Sequence, residues 1–212
     1  CGVLRFGAVF SNCGFMGYPL MTALLGSIGV FYGSAYVVVF TVLTWTMGVY
    51  MITHDTSKLR LKSILLNPGV LSVAAAMVLY LLSVSLPEIV MTPLTYLANM
   101  NTPLPTIVVG YQLSHANFRH AFADRRSWTA LVLRLAVIPL LTVGGCYALR
   151  VDSAVALVTV IAASTPPAAL LSMFAQKFER DTRLASSVVS VFTALSVLTI
   201  PPVVGLAQHL MG

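Results

Sequence analysis

The sequence predicts an all-α membrane protein, and three observations lead to this fold class. Of the 212 residues, 58% are hydrophobic and only 8% are charged, whereas about 25% of a typical soluble domain is charged. The mean hydropathy is +0.92. The apolar residues also lie in runs that reach the roughly 20 residues a helix needs to cross a hydrocarbon core. We predict spans at about 6–25, 32–52, 64–84, 88–113, 127–149, 153–175 and 184–208.

Two of these spans are interrupted near their middle. The first contains Ser11-Asn12-Cys13-Gly14 and Pro19, and the sixth contains Ser164-Thr165-Pro166-Pro167. Helix-breaking residues free backbone N–H and C=O groups that lipid cannot satisfy, so they persist where they face protein or a water-filled cavity. Paired breaks of this kind indicate the binding site of a transporter. The sequence therefore predicts a membrane transporter.

The basic residues predict the orientation of the spans. If the first span starts in the cytoplasm and the sides alternate, most of the twelve lysines and arginines fall inside. The outer side receives only Arg150, and Arg134 lies within the fifth span, where we expect it to extend to the interface. This bias predicts a cell-membrane protein with a non-cytoplasmic C-terminus. It also predicts contact with anionic lipids and no nucleic-acid partner, because the charges are spread over four short segments. The inner basic residues are Arg5, Lys58, Arg60, Lys62, Arg119, Arg125, Arg126, Lys177, Arg180 and Arg183.

An internal repeat relates the two interrupted spans. The segment 40–44 (FTVLT) resembles 192–196 (FTALS), and the same offset places Asn12 opposite Ser164. By the charge count the first and sixth spans cross the membrane in opposite directions, which is typical of an inverted repeat. Five spans counted back from the C-terminus begin near Asn67. We therefore expect a ten-helix, 5+5 inverted-repeat fold whose first three helices are absent from this chain.

Four short motifs follow one another along the chain. They are SNCGFMGYPL at 11–20, Asn67-Pro68-Gly69, Asn101-Thr102-Pro103-Leu104 and Thr165-Pro166-Pro167-Ala168-Ala169. Together they resemble the auxin efflux carrier family, which includes bacterial malate-permease-like members, and their order is similar to the last seven of that family's ten helices. Pro167 departs from the pattern, because many members carry a polar residue there, and it puts a side-chain contact at that position in doubt.

The resemblance implies two subdomains. Residues 1–52 and 127–212 would form a transport, or crossover, domain in which the two broken helices cross. Residues 53–126 would form a scaffold domain, through which two copies would make a homodimer. The family exports or exchanges small organic anions, such as malate or auxin-like acids, by moving the crossover domain against the scaffold in an elevator or rocking motion.

The breaks also predict the site itself. Half-helix N-termini carry roughly half a positive charge and unpaired N–H donors, so two of them can hold an anion without a lysine. We expect Asn12, Ser164 and Thr165 to donate hydrogen bonds to a carboxylate. The structural alternative is that these side chains cap freed backbone groups. The candidate substrate-binding residues are Ser11, Asn12, Cys13, Ser164, Thr165 and Pro166 at the breaks, with Asn101 and Thr102 along the path.

The remaining residues narrow the function classes. All six acidic residues lie at span ends or in loops, so nothing at the midplane would neutralise a cationic substrate. Coupling to H⁺ or to Na⁺ stays open, and no other cofactor or metal is expected. No catalytic motif is present, so we do not expect an enzyme. The alternatives are a carrier of the bile-acid sodium symporter type, a non-transporting membrane sensor on the same fold, and a seven-helix receptor, whose orientation the charge bias opposes.

Overall fold

The computed structural model describes residues 2–55, 68–100, 103–114 and 125–211, and these ranges fold into packed α-helices. Their sequences are apolar with few breakers, which suits helices whose backbone groups bond within the segment. We number the helices α1 to α11 in chain order. They are α1 (Gly2–Val9), α2 (Tyr18–Leu43), α3 (Val49–Thr53), α4 (Pro68–Leu81), α5 (Glu88–Asn99), α6 (Pro103–Ser114), α7 (Arg125–Val132), α8 (Ile138–Ala148), α9 (Ser153–Ser164), α10 (Leu170–Lys177) and α11 (Thr182–Met211).

Three helical stretches of the described residues are, by length and composition, long and apolar enough to cross a membrane. They are Cys13–Thr53, Arg125–Ala148 and Thr182–Met211. In the first two, π-helical turns at Cys13–Gly17, Thr44–Gly48 and Leu133–Val137 join shorter α-helices. The third, α11, stays helical through Pro201 and Pro202.

The 41-residue stretch Cys13–Thr53 turns back on itself at Gly26. Gly26 has a φ of 59° and a ψ of −138°, a conformation that glycine adopts because it has no Cβ. Across the turn, the Tyr18 hydroxyl donates a hydrogen bond to Ser34 Oγ at 2.8 Å. The two halves therefore pack as an antiparallel pair, and the turn lies between the first two predicted spans.

Within the predicted span 88–113 the structure describes two helices, α5, which ends at Asn99, and α6, which begins at Pro103. Residues 101 and 102, between them, lie outside the described residues. Proline lacks the N–H that would continue the hydrogen-bond ladder and disfavours helical backbone at the residue before it. It is well suited to the first helical position instead.

The start of α1, the end of α3 and Arg180, which follows α10, lie close together at one end of the bundle. Arg180 Nη2 donates to the Thr53 carbonyl oxygen at 2.9 Å, and Gly2 lies against the backbone of Met51. At the other end, the Ser153 hydroxyl donates to the carbonyl oxygen of Met211.

Two apolar clusters flank the region where the breaks lie. In the first, Phe6 stacks on Phe10 with ring centroids 4.7 Å apart and meets the edge of Phe174 at 5.7 Å. The second is built on Met21 and Ile161. Helix α9 contributes to the core from almost every face, as expected of a helix that is apolar all round.

Gly29 tests the α2 hairpin. A Cβ at Gly29 would overlap the carbonyl oxygen of Met21, whereas a Cβ at Gly144 in α8 would meet nothing within 4 Å. Alanine is the better helix former by about 1 kcal/mol at both positions, but overpacking against backbone costs about 1–3 kcal/mol. We therefore expect Gly29→Ala to lower the melting temperature of the detergent-solubilised protein and Gly144→Ala to leave it unchanged or raise it. Equal melting temperatures for the two variants would contradict the hairpin packing.

Candidate functional site

The two interrupted segments are broken, and they meet. The Asn12 N–H donates to the Pro166 carbonyl oxygen at 2.7 Å, and the Ala168 N–H donates to the Phe10 carbonyl oxygen at 2.9 Å. These bonds form a short antiparallel pairing centred on Ser11 and Pro167. Each break therefore satisfies backbone groups that the other has freed, a requirement wherever lipid excludes water.

The pairing explains why Pro167 is tolerated at this point. In an antiparallel ladder, directly opposed residues alternate between pairs that exchange hydrogen bonds and pairs that do not. Ser11 and Pro167 form a pair of the second kind, since both bonds come from their neighbours. The missing N–H of Pro167 thus leaves no carbonyl without a partner.

Two helices end at the crossing with their C-termini pointing into it. Helix α1 ends at Val9 and α9 ends at Ser164. The last carbonyl groups of a helix have no partner within the helix, and two negative helix ends repel each other. A cationic donor between them would relieve both problems.

Arg134 occupies this position. It extends from the π-helical turn Leu133–Val137, is 1% exposed, and donates to carbonyl oxygens of both helix ends. No described carboxylate pairs with it; its charged or polar neighbours are Tyr36 and Cys13. Its bonds run from Nε to Thr165 O at 2.9 Å, from Nη1 to Val9 O at 3.1 Å and Ala8 O at 3.4 Å, and from Nη2 to Ala163 O.

The expectation that Arg134 extends to the interface is wrong. Its guanidinium carries five N–H donors in a planar fork, and the converging carbonyls offer acceptors for several of them at once. Sequence reasoning missed this role because the acceptors come from α1 and α9, far from Arg134 along the chain. A lone arginine inside a span, in a chain with two helix breaks, was the available signal.

Asn12 is a candidate residue whose buried side-chain amide nitrogen lacks a partner. It is 4% exposed, and its main-chain oxygen accepts from the N–H groups of Met16 and Gly17. Its side chain makes no capping hydrogen bond, and Nδ2 has no partner. A buried donor left without a partner costs about 1–3 kcal/mol, so such a group calls for a functional or structural explanation.

The hydroxyls of the second break are engaged within their own helix. Ser164 Oγ donates to the Val160 carbonyl oxygen at 2.7 Å, and Thr165 Oγ1 donates to the Ala162 carbonyl oxygen at 2.9 Å. The two hydroxyl protons therefore bond backbone carbonyls, as in the structural alternative stated above, in which these side chains cap freed backbone groups. Both hydroxyl oxygens remain acceptors, and both residues are buried at the crossing.

The structure describes three of the other candidate residues and leaves two outside the described ranges. Ser11 and Cys13 are buried at the first break, and the Pro166 carbonyl accepts from Asn12. Asn101 and Thr102 lie outside the described residues. The helix that follows them, α6, contacts the π-helical turn Cys13–Gly17.

A cavity of about 530 Å³ opens beside the crossing. Its volume falls within the range typical of small-molecule sites. Ser11 reaches it from the break, and Tyr36, near both Ser11 and Arg134, lines it from α2. Most of the remaining wall is apolar, including Ala35, Val39, Phe40 and Val158.

Comparison with known proteins decides the family. Residues 52–204 match the family described as membrane transport protein. The chain belongs to this family. An uncharacterized transporter of Methanothermobacter thermautotrophicus (strain Delta H) is 30% identical over 208 residues, which cover 93% of this chain and 65% of that protein. No solved structure matches the chain.

Membership of the membrane transport protein family confirms the resemblance to auxin efflux carriers at the level of the family. It also confirms a membrane protein of the transporter class. The family match includes Arg134 and the second break and starts after the first. The alignment with the archaeal transporter covers nearly the whole chain, so the similarity to known transporters is not limited to the segment that contains the second break.

Removal of Arg134 tests its role between the helix ends. Arg134→Leu leaves carbonyl oxygens of α1 and α9 without donors, and we expect a loss of stability of about 3 kcal/mol or more. Arg134→Lys keeps the charge but offers a single compact donor group, so its stability should lie between that of the parent and that of Arg134→Leu. Thermal unfolding in detergent measures the effect, with Arg183→Leu, an exposed position in α11, as control. An Arg134→Leu protein as stable as the control would exclude this role.

Proposed function

We propose that this chain forms the substrate-binding part of a secondary-active transporter of small organic anions, and that a carboxylate binds at the crossing. The observation that carries the proposal is the unpartnered Nδ2 of Asn12, buried where the two breaks pair. A carboxylate oxygen is an acceptor that would satisfy this donor. An empty carrier can leave such a donor unpaired because the substrate supplies its partner in each cycle.

The charge at the crossing favours an anion. Arg134 donates to carbonyl groups, which carry partial charges only, and no described carboxylate balances its full positive charge. The described acidic residues, Asp55, Glu88, Asp152, Glu179 and Asp181, lie at helix ends or in turns. In a medium of low dielectric constant a charge is felt strongly over several ångströms. An anionic substrate would therefore be attracted, and a cationic one repelled.

The cavity beside Ser11 narrows the substrate class. A dicarboxylate such as malate would bring a second negative charge against a mostly apolar wall, where an unpaired charge is costly. A monocarboxylate with an apolar or aromatic body would place its body against Ala35, Val39 and Phe40 and its charged end on the side of Ser11, the neighbour of Asn12. Between malate and auxin-like acids, this lining favours the latter.

The pairing of the breaks also supports an inverted repeat. Helix α1 with its break, and α9 with its break, meet antiparallel, as two copies inserted in opposite directions would. We propose that residues 1–52 and 127–212 form the moving crossover domain and that 53–126 form the scaffold, with 5+5 helices in the complete fold. The large exposed apolar side chains of α4 and α5, such as Tyr80, Ile89 and Tyr96, suit a scaffold face that meets lipid or a second copy in a homodimer.

Orientation and coupling belong to the same proposal. The end that carries Arg5 and Arg180 would face the cytoplasm of the cell membrane, with the C-terminus on the other side. Cycles driven by H⁺ or by Na⁺ both remain compatible with the crossing. Among the described residues no carboxylate lies near the breaks, which favours an auxin-efflux-type carrier over one with acidic sodium ligands.

Asn12→Ala tests the site. We expect the variant to lose organic-anion counterflow in proteoliposomes while its melting temperature does not fall below that of the parent, because Nδ2 bonds nothing in the empty protein and its removal relieves the cost of an unpartnered buried donor. Asn99→Ala, at the exposed end of α5, is the matched control and should transport normally. Unchanged counterflow in Asn12→Ala would remove Asn12 from the site. Binding without counterflow in the parent protein would favour the membrane sensor.

Ala35→Trp tests the cavity. The larger side chain fills space that the substrate body would occupy, so we expect counterflow of an aromatic acetate to fall about tenfold or more, which corresponds to roughly 1.4 kcal/mol. Counterflow of acetate itself should fall much less. Val30→Trp, on the same helix but outside the cavity, controls for the added bulk. If both substrates decline equally in Ala35→Trp, the cavity does not hold the substrate body.

A further inference from the structure

Tyr36 is a polar side chain shared by the crossing and the cavity beside Ser11. It lies in the second half of α2, packs against the apolar cluster built on Met21 and Ile161, and lines the cavity. Its hydroxyl lies close to the side chain of Ser11 and within electrostatic reach of Arg134. A ligand in the cavity would therefore meet this hydroxyl on the side that faces the crossing.

The two groups that favour an anion at the crossing have little direct access to the cavity. Asn12 is 4% exposed and is not among the described residues that line the cavity. Arg134 is buried, and its N–H groups donate to backbone carbonyl oxygens. Arg134 therefore attracts an anion through its charge, whereas a carboxylate in the cavity needs a nearer donor for a direct hydrogen bond.

The hydroxyl of Tyr36 has the chemistry of such a donor. A phenol O–H can donate to a carboxylate while its oxygen accepts a bond from the Ser11 hydroxyl. Hydrogen bonds to a charged acceptor are shorter and stronger than those between neutral groups. An ionised acid would therefore gain more from this hydroxyl than a neutral molecule of the same shape.

We propose that the Tyr36 hydroxyl donates directly to the substrate carboxylate and that Tyr36 thereby selects organic acids over neutral molecules of the same shape. This inference rests on the proposed function, because it concerns the same cavity. The structural alternative is that the hydroxyl only holds α2 against Ser11 of the first break. Loss of the hydroxyl would then change the stability of the protein rather than its preference for acids.

Tyr36→Phe tests the proposal, because it removes the hydroxyl and keeps the ring. Tyr32→Phe is the matched control, since Tyr32 lies one turn earlier in α2 and lines the same cavity. The probes are cyclohexylacetate and its neutral amide, titrated into the purified full chain in detergent. We expect Tyr36→Phe to bind the acid about tenfold more weakly than the parent, the loss of one charge-assisted hydrogen bond, with a much smaller change for the amide. Tyr32→Phe should bind both probes as the parent does.

Tyrosine absorbance gives a second readout. A phenol that donates to a carboxylate changes its near-ultraviolet absorbance, and cyclohexylacetate does not absorb in that range. The acid should produce a tyrosine difference spectrum in the parent and in Tyr32→Phe, and Tyr36→Phe should lack it. The parent alone also tests the proposal, so the test remains decisive if Tyr36→Phe does not fold: without a tyrosine difference spectrum on binding of the acid, Tyr36 is not the donor.

The outcomes separate this inference from the proposed function. If the parent and Tyr36→Phe bind the acid equally well, Tyr36 does not bind the carboxylate and the proposed function stands. An equal loss of affinity for acid and amide, or an equal loss in Tyr32→Phe, would also overturn the inference. A parent that binds no organic acid would overturn the proposed function and this inference together. Melting temperatures without ligand report whether each variant folds.

Discussion

The architecture depends on how the backbone groups freed at the two breaks find partners. Lipid offers none, and a break that faced it would cost several kcal/mol for each unpaired group. Here the first break and the second bond to each other through Asn12 and Ala168, and Arg134 bonds the carbonyls that remain at the ends of α1 and α9. Neither break is stable alone, so the crossing forms as one unit from segments far apart in the sequence.

The mutual bonding of the two breaks also creates a place where a ligand can bind. Among the described residues of the two breaks, the side-chain amide nitrogen of Asn12 is buried without a partner. The crossing therefore combines hydrogen-bonded break segments with an open donor and a nearby full positive charge. Binding sites benefit from this combination, because preorganised groups do not have to be ordered when the ligand arrives.

The positions of the helix breaks could be predicted from the sequence, whereas hydrogen bonds between segments far apart in the chain could not. Gly14, Pro19 and Pro166 break helices through their own backbone properties, so the breaks and the Gly26 turn were within reach. Hydropathy reports composition rather than hydrogen-bond continuity, and the apolar residues on both sides of Met100 concealed the end of α5. The partners of Arg134 and the inward bonds of Ser164 depend on where other segments lie, which residue spacing does not encode.

The consecutive prolines of the second break restrict how the crossing can slide. If the pairing moved by one residue so that Ser11 faced Pro166, the donor to Phe10 would have to be Pro167, which has no N–H. A further step in that direction would require the same of Pro166. Two successive shifted registers in one direction therefore lack the N–H donor to the Phe10 carbonyl. The two prolines in this way disfavour those registers and help to fix the one in which the two breaks pair.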